Sequence, residues 1–421
     1  MRARTIPFTL ITAVSSSTQT GKPSLRVVAI GGGTGLSTLL RGLKRYVAAP
    51  AASRRAADAT ADAITLRNAN PQHESHPEDL PCLIRDLAAI VTVTDDGGSS
   101  GRLREELNML PPGDVRNCMV ALSEDELLLA RLFQYRFHHG GLEGHSFGNL
   151  FLAALSDITG DFAQAVQMSS QILAARGRIY PATNSNVTLA ARMDDGSLVH
   201  GETSITASPH RILELKLVPA DAKPLPATLE AIANADLITL GPGSLYTSLV
   251  TNLLVRGIPE AIAASRATRV YIANLMPQAN ESLGLSASQH IEKILQHCNG
   301  STMNGNGAKM NCHSDAEQAQ RAEGEESPHS IACHSERSEE SPHLSYPKIF
   351  DYALINTAPI SPTLLEKYAR GGQAPIAADL DRIRALGIEP ISGDFAQEGT
   401  LLRHDPDRVT QALLTLVLNR P

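Results

Sequence analysis

The chain has 421 residues, 42% hydrophobic and 19% charged, a balance suited to one large α/β domain or two ordinary ones. No apolar run is long enough to span a bilayer, and a formal charge of −7 argues against a non-specific nucleic-acid surface. With no tryptophan and 4% aromatic residues, a base-stacking RNA platform is also disfavoured.

Residues 1–24 place Arg2 and Arg4 before an apolar stretch interrupted by Pro7, Thr9 and Thr12, and read as a disordered tail rather than a signal peptide. Leu25 to Ile30 is a short continuous apolar strand, followed by Gly31-Gly32-Gly33-Thr34-Gly35. Leu36, Leu39, Leu40 and Leu43 then recur at helical spacing. Strand, glycine loop and helix in that order offer a phosphate the free N–H groups and positive dipole end of a helix start. The loop does not satisfy a dinucleotide fingerprint, because position 36 is Leu36 and no acidic residue follows at the required distance. A P-loop is also absent from the sequence.

Residues 49–81 are rich in Ala, Pro, Asn, His and Arg without a sustained period, and read as an inserted loop. Core patterning resumes at Leu83 to Val93 and ends in Thr94-Asp95-Asp96-Gly97-Gly98-Ser99-Ser100-Gly101-Arg102. Ligands of open α/β sheets gather at the carboxyl ends of strands. Here the glycines let backbone N–H groups approach an anion, and Asp95 and Asp96 are candidates to hold Mg²⁺ or a ribose hydroxyl. Ser99 adds a hydroxyl to the same loop. Pro111 to Asn117 forms a rigid turn delivering Asp114, Arg116 and Asn117, with Arg102 and Arg116 as candidate anion clamps. Cys118 reads as a small buried side chain in the helix that follows.

Gly144-His145-Ser146-Phe147-Gly148 matches a nucleophile elbow, but the strand that an elbow requires is missing before it. Ser146 is therefore expected as a helix N-cap, with His145 and Asn149 facing the site. Val187 to Ala191 and Ile212 to Val218 suggest an edge hairpin or small subdomain. Further strand ends follow at Asp236 to Leu240, leading into Gly241-Pro242-Gly243-Ser244, at Val270 to Asn274, and at Asp351 to Ile355. Residues 298–345 are polar and of low complexity, with Glu-Glu-Ser-Pro-His at 325–329 and again at 339–343, and read as a second solvated insertion. The cysteines Cys82, Cys118, Cys298, Cys312 and Cys333 are odd in number and scattered, which points to a reducing cytoplasm and fits no zinc pattern. The expected architecture is one Rossmann-like, doubly wound, mostly parallel α/β domain over 25–421, with inserted loops at about 49–81 and 298–345.

Taken together, Val28 to Ser37, Val91 to Arg104, Pro111 to Asn117, Gly144 to Leu150, Gly241 to Leu254 and Asn274-Leu275-Met276 resemble the bacterial gluconeogenesis factor family. That family belongs to the 2-phospho-L-lactate transferase-like superfamily. The resemblance implies a cytoplasmic protein that binds a UDP-sugar such as UDP-N-acetylglucosamine and has no turnover of its own. It also implies a regulatory role in cell morphogenesis and envelope synthesis on gluconeogenic carbon sources. Related transferases act on a nucleotide diphosphate donor with Mg²⁺, so a phospholactyl-type transferase is the alternative. The implied partners are the nucleotide sugar and envelope-synthesis or regulatory proteins, with homo-oligomer formation left open. By resemblance, Tyr368 and Arg403 form the uridine end of the site, where a ring stacks on uracil and a guanidinium clamps the diphosphate. One departure is Pro277, where the family has a threonine, removing a hydroxyl and an N–H from the loop after Asn274.

Overall fold

The computed structural model describes residues 24–48, 81–123, 128–278, 280–303 and 348–420. In chain order its strands are β1 (Leu25–Gly31), β2 (Ile84–Val91), β3 (Arg178–Pro181), β4 (Thr188–Met193), β5 (Leu198–His200), β6 (Ile212–Val218), β7 (Leu237–Leu240), β8 (Thr268–Ile272), β9 (Tyr352–Asn356), β10 (Glu389–Gly393), β11 (Ala396–Gln397) and β12 (Arg403–His404). Seven of them form one sheet in the order β10-β9-β8-β7-β1-β2-β3, and every neighbouring pair in it runs parallel. Parallel strands are covered on both faces, which is why β1, β2 and β7 read as near-continuous apolar runs, broken only toward the starts of β1 and β2 by Arg26, Arg85 and Asp86, rather than as alternating ones. All four residues of β7 are buried, as are Val27 to Gly31 of β1.

Antiparallel pairing is moved out of this sheet. Strands β5-β4-β6 make a separate three-stranded sheet, and β11 pairs with β12 as a short ribbon. The small subdomain expected from Val187 to Ala191 and Ile212 to Val218 is therefore a three-stranded sheet rather than a hairpin at the edge of the main one.

The helices that frame the site are α1 (Gly33–Lys44), α2 (Gly98–Leu107), α3 (Gly113–Leu122), α4 (Phe147–Thr159), α5 (Glu202–Ala207), α6 (Ala287–Met303), α7 (Pro362–Ala369) and α8 (Pro406–Leu418). On α1, Leu36, Leu39, Leu40 and Leu43 are all buried, as their spacing predicts, and the helix packs against α3 and α8. Ser146 caps α4 by accepting the Asn149 N–H, so the elbow-like motif is a helix start. Helix α6 runs to Met303 with Cys298 fully buried, so the second insertion begins later than residue 298. The fourteen-residue repeat, the tail through residue 23, residues 49–80 and Cys312 and Cys333 lie outside the described residues. Among the described residues no helix is long and apolar enough to cross a membrane.

Strand order reverses between β1 and β7. The chain leaves β1 toward β2 and β3, then returns to β7 on the other side and proceeds to β8, β9 and β10. The loops after β1 and β7 thus depart in opposite directions and open a crevice between them. Gly35 marks how tightly the two loops meet, because a Cβ there would stand 2.2 Å from the Pro242 carbonyl oxygen.

Candidate functional site

A cavity of about 580 Å³ occupies this crevice. Its floor is made by Gly32, Gly33, Thr34 and Gly35 after β1 and by Pro242, Gly243 and Ser244 after β7. Asn274, just beyond β8, clamps the second loop. Its side-chain amide donates to the Gly243 carbonyl at 2.6 Å, and its oxygen accepts the Gly243 N–H at 3.2 Å. The same loop runs into a π-helical turn, Leu245–Val250, whose first N–H groups need an outside acceptor. Buried Glu281 supplies it, accepting from the Tyr246 N–H at 3.2 Å and the Thr247 hydroxyl at 2.8 Å.

One wall is acidic, formed by Asp95, Asp114 and Glu202. Asp114 sits in the first turn of α3 and accepts the Gly33 N–H at 2.7 Å, tying the glycine loop to the neighbouring helix. Burial, then repulsion from Asp95, pushes its carboxyl up to about 6, against the opposing pull of the Gly33 N–H and Arg116. Glu202 opens α5, accepts the Thr94 hydroxyl at 3.2 Å, and is pushed up to about 9 by burial, then by Asp114 and Asp95. Perturbed carboxyls that share a concave site are a physical mark of a functional locus.

The opposite wall comes from the C-terminal segment. Tyr368 on α7, together with Arg403 and His404 of β12, lines the same cavity as the glycine loop. The Tyr368 hydroxyl accepts the Leu402 N–H at 2.9 Å, fixing the ring against the strand. Asp405 is committed to the N-terminus of α8, accepting from Asp407 and Arg408 N–H groups, and it pairs with Arg408. The Arg403 guanidinium therefore has no ion pair among the described residues. His404 Nε2 meets the Ala273 carbonyl at 3.1 Å, and burial lowers its pKa to about 4, so the ring is neutral. Pro277 also lines the cavity, and its carbonyl accepts the Gln373 side-chain amide at 2.7 Å.

Ten residues expected at the site line this cavity: Gly32, Gly33, Thr34, Gly35, Asp95, Gly243, Ser244, Asn274, Tyr368 and Arg403. Gly31 ends β1 and Gly241 directly follows β7, and neither lines the cavity. The pairing of Asp95 with Asp96 needs correction. Asp96 faces away from the cavity, its Oδ1 accepting the Thr203 N–H at 2.8 Å and the Thr203 hydroxyl at 2.5 Å. Asp95 lines the cavity while Asp96 is taken up by Thr203, so the adjacent carboxylates do not make a joint ligand pair.

Gly97, Gly98, Ser99, Arg102, Arg116, Asn117, His145 and Asn149 also fall outside the cavity lining. Ser99 Oγ meets His145 Nδ1 at 3.0 Å and the Asn149 side-chain amide at 3.1 Å, a buried network joining α2 to α4. Arg102 donates to the Glu143 carbonyl at 2.8 Å, and Arg116 to the Asn117 side chain at 2.7 Å. Both expected anion clamps thus have protein partners. Glu202, Ser248, Gln278, Gln373 and His404 were not among the expected site residues. Asp114 was visible in its Pro-Pro-Gly-Asp turn, whereas Glu202 carries no local signal and reaches the cavity only through the packing of the small sheet.

The model of the family 2-phospho-L-lactate transferase CofD matches residues 27–396. A gluconeogenesis factor of Halalkalibacterium halodurans is 40% identical over 390 residues, 92% of this chain and 95% of that protein. A gluconeogenesis factor of Bacillus subtilis is 36% identical over 398 residues, covering 94% and 98%. The crystal structure of a UPF0052 family member from Bacillus halodurans superposes with a TM-score of 0.71 at 40% identity, over 93% of this chain and 99% of that one. With the strand order and the switch-point cavity, these matches show that the chain belongs to the 2-phospho-L-lactate transferase CofD family and, within it, to the bacterial gluconeogenesis factors.

Proposed function

We propose that the switch-point cavity binds a UDP-sugar of the UDP-N-acetylglucosamine type, and that the protein is a cytoplasmic regulator of cell morphogenesis and envelope synthesis on gluconeogenic carbon sources. One observation carries the ligand reading: a single cavity joins the glycine loop at the start of α1 to Tyr368 and to an Arg403 with no ion pair among the described residues. Its volume lies within the range of small-molecule sites. The loop and helix start suit a diphosphate, the ring suits a uracil face, and the guanidinium suits a phosphate oxygen. The regulatory part rests on the relatives, which are named for gluconeogenesis rather than for a transfer reaction.

The acidic wall supplies carboxylate oxygens to a divalent cation without closing a three-ligand cage, since the oxygens of Asp95, Asp114 and Glu202 do not all lie within 4.8 Å of one another. Asp95, Asp114 and Glu202 offer an all-oxygen donor set of the kind Mg²⁺ takes, and mutual repulsion in a desolvated wall is what a cation would relieve. One or two of these carboxylates, together with the ligand's own phosphates, would hold Mg²⁺, and Asp96 would not be among them. Bound there, it would offset the repulsion between the wall and a diphosphate. Asp114 keeps the glycine loop in place through Gly33, and Asn274 does the same for the Gly243 loop.

Isothermal titration of the protein with UDP-N-acetylglucosamine and with guanosine diphosphate donors, each with and without Mg²⁺, tests the reading. The expected result is saturable UDP-sugar binding strengthened by Mg²⁺, with the sugar nucleotide recovered intact by mass spectrometry. Absence of binding overturns the ligand assignment. A phospholactyl-type product from a guanosine donor would make the protein a transferase instead.

A further inference from the structure

The loop after β2 and the start of α5 are gripped together at consecutive residues. Thr94 donates to Glu202 Oε2 at 3.2 Å, and Asp96 accepts both the N–H and the hydroxyl of Thr203. Thr94 and Asp96 are two positions apart in the loop after β2 and both reach the start of α5, while Asp95 between them lines the cavity. The corner is shaped for this contact. Gly201 adopts φ +87°, and a Cβ there would lie 2.5 Å from Asp96 Oδ2. A side chain would therefore be strained by the backbone and would push the carboxylate off.

Helix α5 has six residues, too few to hold itself without tertiary ties. Asp96 supplies the tie at its first turn. At its last turn the Thr206 carbonyl accepts the Asn280 side-chain amide at 3.0 Å. Between them Glu202 is turned into the cavity, although it belongs to a segment joining two strands of the separate three-stranded sheet.

We propose that Asp96 is a positioning residue: it latches the corner Gly201–Thr203 to the loop after β2 and so sets Glu202 in the cavity beside Asp95 and Asp114. The latch assigns the adjacent carboxylates different work, Asp95 in the wall of the cavity and Asp96 on the element that completes that wall. It also makes the small antiparallel sheet part of the site's construction. The consequence for ligand affinity rests on the nucleotide-sugar reading above, whereas the latch itself does not.

Two measurements on the full chain test this. The first uses no ligand: amide hydrogen exchange of residues 201–207 in the parent, Asp96→Ala and Asp96→Asn. Asn keeps an oxygen acceptor for Thr203, so it should preserve protection, whereas Ala should raise exchange in this segment and leave β1 and β2 unchanged. The second is titration with UDP-N-acetylglucosamine and Mg²⁺. Asp96→Ala should weaken binding roughly tenfold, Asp96→Asn by no more than about twofold, and Asp96→Ala in a Glu202→Gln background should add little to Glu202→Gln alone.

Unchanged exchange in Asp96→Ala overturns the latch. An Asn variant as weak as Ala, or fully additive losses in the double variant, would show that the Asp96 charge acts on its own and not through Glu202. If Asp96→Ala does not fold, Thr203→Val removes the hydroxyl donor alone and should raise exchange at 201–207 by a smaller step. A parent that binds no UDP-sugar sinks the nucleotide-sugar reading, and the exchange experiment still decides the latch.

Discussion

The two walls of the cavity are built on opposite physical terms. Asp114 and Glu202 on the acidic wall are desolvated, and each is tied to backbone or hydroxyl donors. Arg403 on the C-terminal wall is exposed and unclaimed by any ion pair among the described residues, and Tyr368 is held by its hydroxyl and by packing against Leu275, Leu364 and Leu402. Charge on the acidic wall is therefore coupled to folding, whereas the C-terminal wall keeps its charge for something that arrives from solvent. Changes on the first should alter stability and its pH dependence, and removal of the Arg403 charge on the second should alter affinity alone.

The largest effect should come from Glu202. Its folded carboxyl at about 9 lies above the ordinary 4.5, so the folded protein binds a proton that the unfolded chain has already lost between those values. This group's contribution is fully present below about 4.5 and is lost as pH rises toward 9. Stability should fall across pH 5–8 with a slope of up to about 1.4 kcal/mol per pH unit, and Glu202→Gln should flatten it. Urea unfolding at several pH values measures this. Equal slopes in parent and variant would erase the contrast between the walls.

Next comes the seam between the two floor loops. Gly35→Ala would drive a Cβ into the Pro242 carbonyl, a backbone atom with nowhere to go, and should cost about 3 kcal/mol in the same unfolding experiment. A loss of only a few tenths would mean that the loops are not packed so closely.

On the C-terminal wall, Arg403→Ala should weaken UDP-N-acetylglucosamine binding by about 2 kcal/mol, the scale of a charge-assisted hydrogen bond, and leave the ligand-free thermal midpoint in place. A variant that binds normally would move the diphosphate away from Arg403. The smallest effect should belong to Tyr368→Phe. It removes the acceptor of the Leu402 N–H, costing about 1 kcal/mol of stability, and keeps the ring and hence most of the affinity. Comparison with Tyr368→Ala separates the ring from the hydroxyl: equal affinity in Phe and Ala would exclude stacking.

Strands whose surroundings are uniform were legible in the sequence. The apolar runs at β1, β2, β7, β8 and β9 are buried on both faces, so composition alone marks them to within a few residues. The leucine face of α1 and the Ser146 cap were legible because local spacing decides them. Strands β3 and β10 were missed. Each carries a proline and a polar or charged residue, which an edge position permits and an apolar-run criterion rejects.

Sequence by itself determined that a glycine loop follows the first strand, that carboxylates gather after the second, and which family the motifs resemble. Only tertiary structure decided which of those carboxylates share a cavity. Asp95 and Asp96 are indistinguishable as neighbours in a string, but the folded loop sends one to the cavity and the other to Thr203. Arg102, Arg116, His145 and Asn149 have the chemistry of anion contacts, yet none lines the cavity and each makes a hydrogen bond within the protein instead. Glu202 lies 107 residues beyond Asp95 with nothing around it to announce a site. It reaches the acidic wall because the small sheet folds its connecting helix back against the loop after β2, a relation between distant segments that no local pattern encodes.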